Sequence, residues 1–208
     1  MFLLEEGWRQ GYPLEKLGNF DKPLSDGSLG LRDFETFNIA LVAKMAWRIQ
    51  TGKASFASDV LKGIYFPRKS FWEASLGRHP SWIWRSLIKG RDFLKKNALW
   101  RIENGQNVKI WNDKWNSNML TPINNQQDHA LMVCDLIGAS SNRWKEDAHN
   151  RFFNDESSKD DIRAIYILKT PSQDVLFWSF TVDRNYATRS GYWQRWKEKY
   201  NDMFEHPS

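Results

Sequence analysis

The chain has 208 residues, enough for one domain with a proper core or for two small ones. Hydrophobic residues at 41% and charged residues at 26% sit in the ordinary globular range, and no stretch approaches the roughly 18 apolar residues of a membrane span. The formal net charge of +5 is unevenly spread: in residues 40–101, thirteen Lys and Arg face only Asp59, Glu73 and Asp92, a local +10.

Taken in chain order, residues 1–30 hold Gly7, Gly11, Pro13, Gly18, Pro23, Gly27 and Gly30 without a period, which predicts a loop or lead-in. The start Met1-Phe2-Leu3-Leu4-Glu5-Glu6 lacks the basic region of a secretory leader. Asp33 is a good cap for a first helix running through Phe34, Phe37, Leu41, Met45 and Arg48. Its stretch 39–47 is apolar almost all round, broken only by Lys44, so burial on more than one side is expected. A second helix is predicted from Phe56 through Val60 and Leu61 to about Gly63. A third follows the cap residue Ser81, with Trp84, Leu87, Ile88, Arg91 and Leu94 at helical spacing, and Gly90 weakens it by roughly 1 kcal/mol relative to Ala.

At Leu99 the period changes. Leu99, Arg101 and Glu103, the turn pair Asn104-Gly105, then Val108, Ile110 and Asn112 predict a β-hairpin. Residues 112–127 are polar and Asn-rich, a linker by composition. Short helices near 147–153 and 160–168, a strand at 175–181, a turn at Asp183-Arg184-Asn185 and a last helix at 189–203 complete the chain.

Catalytic constellations are hard to find. Two-metal polymerase chemistry needs paired aspartates on a hairpin, whereas Asp160-Asp161 follow the polar Ser157-Ser158-Lys159 and no apolar strand precedes them. His79, His129, His149 and His206 are scattered, and Cys134 is the sole cysteine. That excludes an internal disulfide, argues against a zinc site and fits a reducing intracellular compartment. No phosphate-binding glycine loop is present, and no cofactor, catalytic residue or small-molecule substrate is expected.

What stands out is cations interleaved with aromatics in residues 40–101. That mixture suits a surface that follows a phosphate backbone and stacks bases, and it equally suits an aromatic core under a solvated basic face. Trp47 and Trp84, at helical spacing, fit the core. For Tyr65, Phe66, Phe71 and Trp72, beside Arg68 and Lys69, both uses stay open.

Several strings also carry a resemblance. Gly27-Ser28-Leu29-Gly30-Leu31-Arg32-Asp33, Phe37-Asn38-Ile39-Ala40-Leu41-Val42-Ala43-Lys44 and Trp47-Arg48 come first. Leu61-Lys62 with Tyr65-Phe66-Pro67, then Pro80-Ser81-Trp82-Ile83-Trp84-Arg85-Ser86 and Gly90-Arg91-Asp92, follow in order. Trp100-Arg101-Ile102-Glu103-Asn104-Gly105 and Ile110-Trp111-Asn112-Asp113-Lys114-Trp115 close the dense part, and Phe177-Trp178, Tyr186 and Ser190-Gly191-Tyr192 lie further on. Together they resemble plant LINE-type (non-LTR) retrotransposon reverse transcriptase polyproteins, in the segment between the polymerase palm and the zinc-binding and RNase H regions. Ser28, Arg184 and Thr188 depart from that pattern, and the chain stops soon after Tyr192. The resemblance implies a thumb-like or connecting role beside a template–primer duplex, in a truncated copy, and it carries over no metal-holding residue.

The resulting expectation is an α+β fold. Residues 1–30 form a lead-in, 31–117 a helix-rich basic region ending in a hairpin near 99–112, 118–143 a linker, and 144–208 a small mixed part. The expected partner is RNA or an RNA–DNA duplex, weakly held, with Arg68, Lys69, Arg78, Arg85, Lys95 and Lys96 as candidate phosphate contacts. The competing expectation is a structural relic of a decayed element with no binding role.

Overall fold

The computed structural model describes residues 33–53, 56–116, 131–138, 143–167 and 172–205. The expected lead-in at 1–30 and most of the expected linker lie outside the described residues. The chain divides into two compact units, Met1–Asn38 and Ile39–Ser208. In the first, Asp33 opens helix α1 (Phe34–Gln50). Its Oδ1 accepts the N–H groups of Glu35 at 3.0 Å and Thr36 at 3.3 Å, satisfying donors that a helix start leaves without partners.

Within the second unit, α1 buries Ala40, Val42, Ala43, Ala46 and Trp47, while Leu41 and Met45 stay exposed. The apolar run therefore covers the core with one broad face and leaves a stripe outside. Helix α2 (Phe56–Tyr65) runs two residues past Gly63 and has no fully buried residue; Leu61 and Tyr65 pack partly against the core. Helix α3 (Trp82–Asn97) starts where Ser81 Oγ accepts the N–H of Trp84 at 3.2 Å. It passes so close to α1 that a Cβ on Gly90 would lie 2.8 Å from the Ala43 nitrogen and the Val42 carbonyl carbon. The glycine that weakens α3 in isolation is what lets the two helices meet.

The fold class is α+β: the described residues form six α-helices and one two-stranded antiparallel sheet. The hairpin needs correcting. Strand β1 (Leu99–Arg101) forms where expected, but it pairs with β2 (Val175–Phe177), Trp100 opposite Leu176. The chain after Gly105 pairs elsewhere: Val133 N–H donates to the Val108 carbonyl at 2.9 Å, and Ile110 N–H to the Leu131 carbonyl at 3.1 Å. The physical reason lies in the turn. Gly105 has φ +67°, and its Cα packs so tightly on the Val133–Cys134 backbone that a Cβ would come within 2.5 Å of the Cys134 nitrogen. Of the stretch expected as a linker, residues 131–138 are described; Val133 and Leu136 are buried and the segment packs into the core.

Helices α4 (Glu146–Phe152), α5 (Glu156–Ala164) and α6 (Thr188–Glu205) complete the fold. Most of the described tryptophans are structural. The Trp84 ring stacks on Tyr65 at 4.5 Å and on Phe66 at 5.6 Å, with Phe71 edge-on at 5.9 Å. Trp178 meets Tyr186 at 4.7 Å and Phe93 at 6.0 Å, and its indole N–H donates to Ser190 Oγ at 2.9 Å. A third group joins Trp115, Trp144, His149, Phe153 and Trp111. Each pair adds about 0.5–1.5 kcal/mol beyond its area burial.

Candidate nucleic-acid interface

The aromatic question of the basic region is settled residue by residue. Phe66, Phe71 and Trp72 are buried, as are Trp47 and Trp84, and one face of the Tyr65 ring is covered by Trp84. Of these only Tyr65, half-buried, keeps part of its ring uncovered. They form the floor beneath the connection between α2 and α3, which a short 3-10 turn at Phe71–Glu73 shapes.

Two cations of that region also turn inward. Arg91 is buried; its guanidinium holds the Asp92 carboxylate at 2.8 Å and donates to the carbonyls of Phe71 and Ala74, tying the connection to α3. Lys95, one of the candidate phosphate contacts, is the other. Its ammonium lies 5.5 Å from the centre of the Trp72 ring, half-buried, because the indole face is a favourable seat for a cation. Burial, with Arg91 nearby, pulls the Lys95 pKa below the usual lysine value. The same indole donates its N–H to Asp113 Oδ1 at 2.6 Å, and burial raises the Asp113 pKa. Beside them Lys109 pairs with Glu73 at 2.7 Å, which lowers the Glu73 pKa.

Other cations are committed to the C-terminal part. Lys44 Nζ donates to the Tyr186 carbonyl at 2.5 Å and Lys53 Nζ to Asn185 Oδ1 at 3.3 Å. Lys96 is exposed but lies 3.6 Å from Glu198 of α6. The remaining candidates are placed differently. Arg68, Lys69, Arg78 and Arg85 are all exposed, and among the described residues none of them is in a salt bridge. Arg68, Lys69 and Arg78 stand in the connection, and Arg85 on the first turns of α3.

The carboxylates are arranged for structure. Asp160 and Asp161 sit on α5, not on a hairpin, and Asp160 Oδ1 pairs with Arg163 at 2.7 Å. Arg163 also holds Glu146 and Glu156, which lowers the pKa of both carboxylates. Among the described residues no group of three or more His, Cys, Asp or Glu is placed to hold a metal ion. None of their helices is long and apolar enough to cross a membrane.

One of the aromatics interleaved with the cations of residues 40–101 is open to solvent. Trp82, on the first turn of α3, is 56% exposed. The signal was its spacing: Trp82 falls off the buried stripe of Trp84, Leu87, Ile88, Arg91 and Leu94.

The chain is similar to two proteins of Arabidopsis thaliana. An uncharacterized mitochondrial protein is 42% identical over 101 residues, which is 48% of this chain and 66% of that protein. A protein named "Putative ribonuclease H protein" is 29% identical over 189 residues, which is 86% of this chain but 30% of that protein. No family model matches the chain. No solved structure matches it. The chain thus has homologues among plant proteins, and it spans about two thirds of the length of one and under a third of the other.

Proposed function

We propose that this chain is a non-catalytic segment of a plant LINE-type (non-LTR) reverse transcriptase polyprotein, and that it contributes weak binding to RNA or an RNA–DNA duplex. The observation that carries this reading is the exposed cation set Arg68, Lys69, Arg78 and Arg85, which no salt bridge among the described residues neutralises. It crowns a region of net +10. The likeness to a protein named for ribonuclease H supports the same setting, since a hybrid duplex is that activity's substrate. Phosphate contacts of this kind position a duplex without reading its sequence. The segment's work would be to hold the nucleic acid while chemistry proceeds on other parts of a longer polypeptide.

A second reading, a structural relic of a decayed element, is favoured by the inward cations. Lys44, Arg91 and Lys95 spend their charge on the protein itself. The two readings part in a salt titration with a fluorescent RNA–DNA hybrid. With about four to six phosphates contacted, affinity falls with a log–log salt slope of about −3 to −5. Absence of binding at low salt selects the relic.

A further inference from the structure

Building on the nucleic-acid reading, we propose that Trp82 is a stacking platform for an unpaired base, with Arg85 and Arg78 holding the phosphates on either side of it. The ligand class is a single-stranded stretch of nucleic acid, such as the one that leaves a duplex beside the cationic connection.

Three observations converge on Trp82. The first is elimination among the aromatics of residues 40–101. Trp47, Phe66, Phe71, Trp72, Trp84, Phe93 and Trp100 are buried, and Tyr65 is stacked on Trp84. Only Phe56, 83% exposed, and Trp82 are exposed aromatics among the described residues of that region; Tyr65 is half-buried and turns one face to Trp84. Phe56 shares its helix face with Val60 and Ile64, an aliphatic stripe without a cation.

The second observation is the company Trp82 keeps. Positions 82, 85 and 89 fall at i, i+3 and i+7, so Trp82, Arg85 and Lys89 share one face of α3, and all three are exposed. Arg85 lies about 4.5 Å and Lys89 about 10 Å further along the axis. Arg78 and His79 stand in the turn just before the helix, and both are exposed. An exposed aromatic with one cation a turn further along its helix face and another in the segment just before the helix suits a stacked base and its neighbouring phosphates.

The third is rigidity. The helix start that carries Trp82 is pinned three ways: Ser81 N–H donates to Tyr65 Oη at 3.1 Å, Ser81 Oγ caps Trp84, and the Trp84 ring is locked in the core. A side chain on a backbone already fixed in place has less freedom to lose when a base lands on it. Leaving an indole over half exposed costs burial that the fold could have used, which is itself a reason to look for what covers it.

The test compares a short fluorescent oligouridylate with a blunt RNA–DNA hybrid at one low salt concentration, for the full chain and its variants. Trp82→Ala should weaken oligouridylate binding about 5- to 150-fold, the range for loss of one stacked base. Trp82→Phe should recover most of that loss, hybrid affinity should stay within about twofold, and the salt slope should not change, because no charge is removed. Circular dichroism confirms that the variants keep the fold, which an exposed position favours. The proposal is overturned if Trp82→Ala binds oligouridylate like the parent chain, or loses both ligands equally. If Trp82→Ala is neutral while Arg68→Glu weakens both ligands, stacking fails and the phosphate reading stands. A parent chain that binds neither ligand removes both.

Discussion

Asp174 Oδ1 accepts the backbone N–H of Gly105 at 2.9 Å, and through that bond a turn in the first half of the chain is held from a point sixty-nine residues later. The same oxygen accepts the N–H groups of Glu103 and Asn104 at 2.9 and 3.2 Å, and Oδ2 accepts that of Asn107 at 3.2 Å. The turn is a nest of backbone donors with a carboxylate seated in it, just before β2 pairs with β1.

Asp174→Ala leaves those donors without their acceptor. Charge-assisted bonds are worth about 1.5–3 kcal/mol, and a variant that loses the whole set should be destabilised by about 2–4 kcal/mol. Asp174→Asn, which keeps one acceptor oxygen, should lose less. Urea denaturation followed by tryptophan fluorescence measures both. Equal stability of the alanine variant and the parent would show that water replaces the carboxylate at no cost.

Gly90→Ala sets two effects against each other. Alanine improves α3 by about 1 kcal/mol on propensity. Its Cβ would also press into the α1 backbone at 2.8 Å, and backbone atoms cannot swing aside as a side chain can. Overpacking of this kind costs about 1–3 kcal/mol or more, so net destabilisation is expected, with a lower urea midpoint. A stabilised variant would mean that α1 and α3 do not cross at this distance in solution.

His149 links stability to acid. Its ring is buried between Trp144 at 5.7 Å and Phe153 at 6.1 Å, and among the described residues neither nitrogen has a hydrogen-bond partner. Burial holds its pKa below 6.5, with Arg163 and Lys159 pulling the same way against Glu146 and Asp147. The unfolded chain binds the proton near pH 6.5, before the folded chain does. Between those two values the unfolded state carries more protons, so stability falls as pH drops through that window and levels off below the folded value. The slope from this group is at most about 1.4 kcal/mol per pH unit. His149→Leu should remove that component, so the two chains' urea midpoints should diverge from pH 7 to pH 5. Parallel profiles would contradict it.

The elements that were legible in the sequence are those fixed by neighbours in the chain. Asp33 and Ser81 announce α1 and α3 through capping chemistry that acts over three residues. The β1 partner was illegible because Asn104-Gly105 is an ordinary hairpin signal, and nothing local says that Asp174 will fill the turn while Val133 takes the strand that follows. The cation Lys95 misled for a similar reason. Helical spacing does not reveal that Trp72, from another segment, lies beneath its ammonium. The exposed group at Arg68, Lys69 and Arg78 was legible because a Pro-containing connection rarely buries its charges.

The central claim, that this exposed group binds the nucleic-acid backbone, is tested most directly by reversing it. Arg68→Glu, Lys69→Glu and Arg78→Glu together should leave the fold intact, since exposed substitutions cost within about 0.5 kcal/mol each. Binding of a fluorescent RNA–DNA hybrid is then followed across a salt series for the parent and the triple variant. The account predicts that the parent binds with a slope of about −3 to −5, and that the variant binds far more weakly with a slope shallower by roughly 2 to 3. A variant that binds the hybrid with the parent's affinity and slope would contradict it.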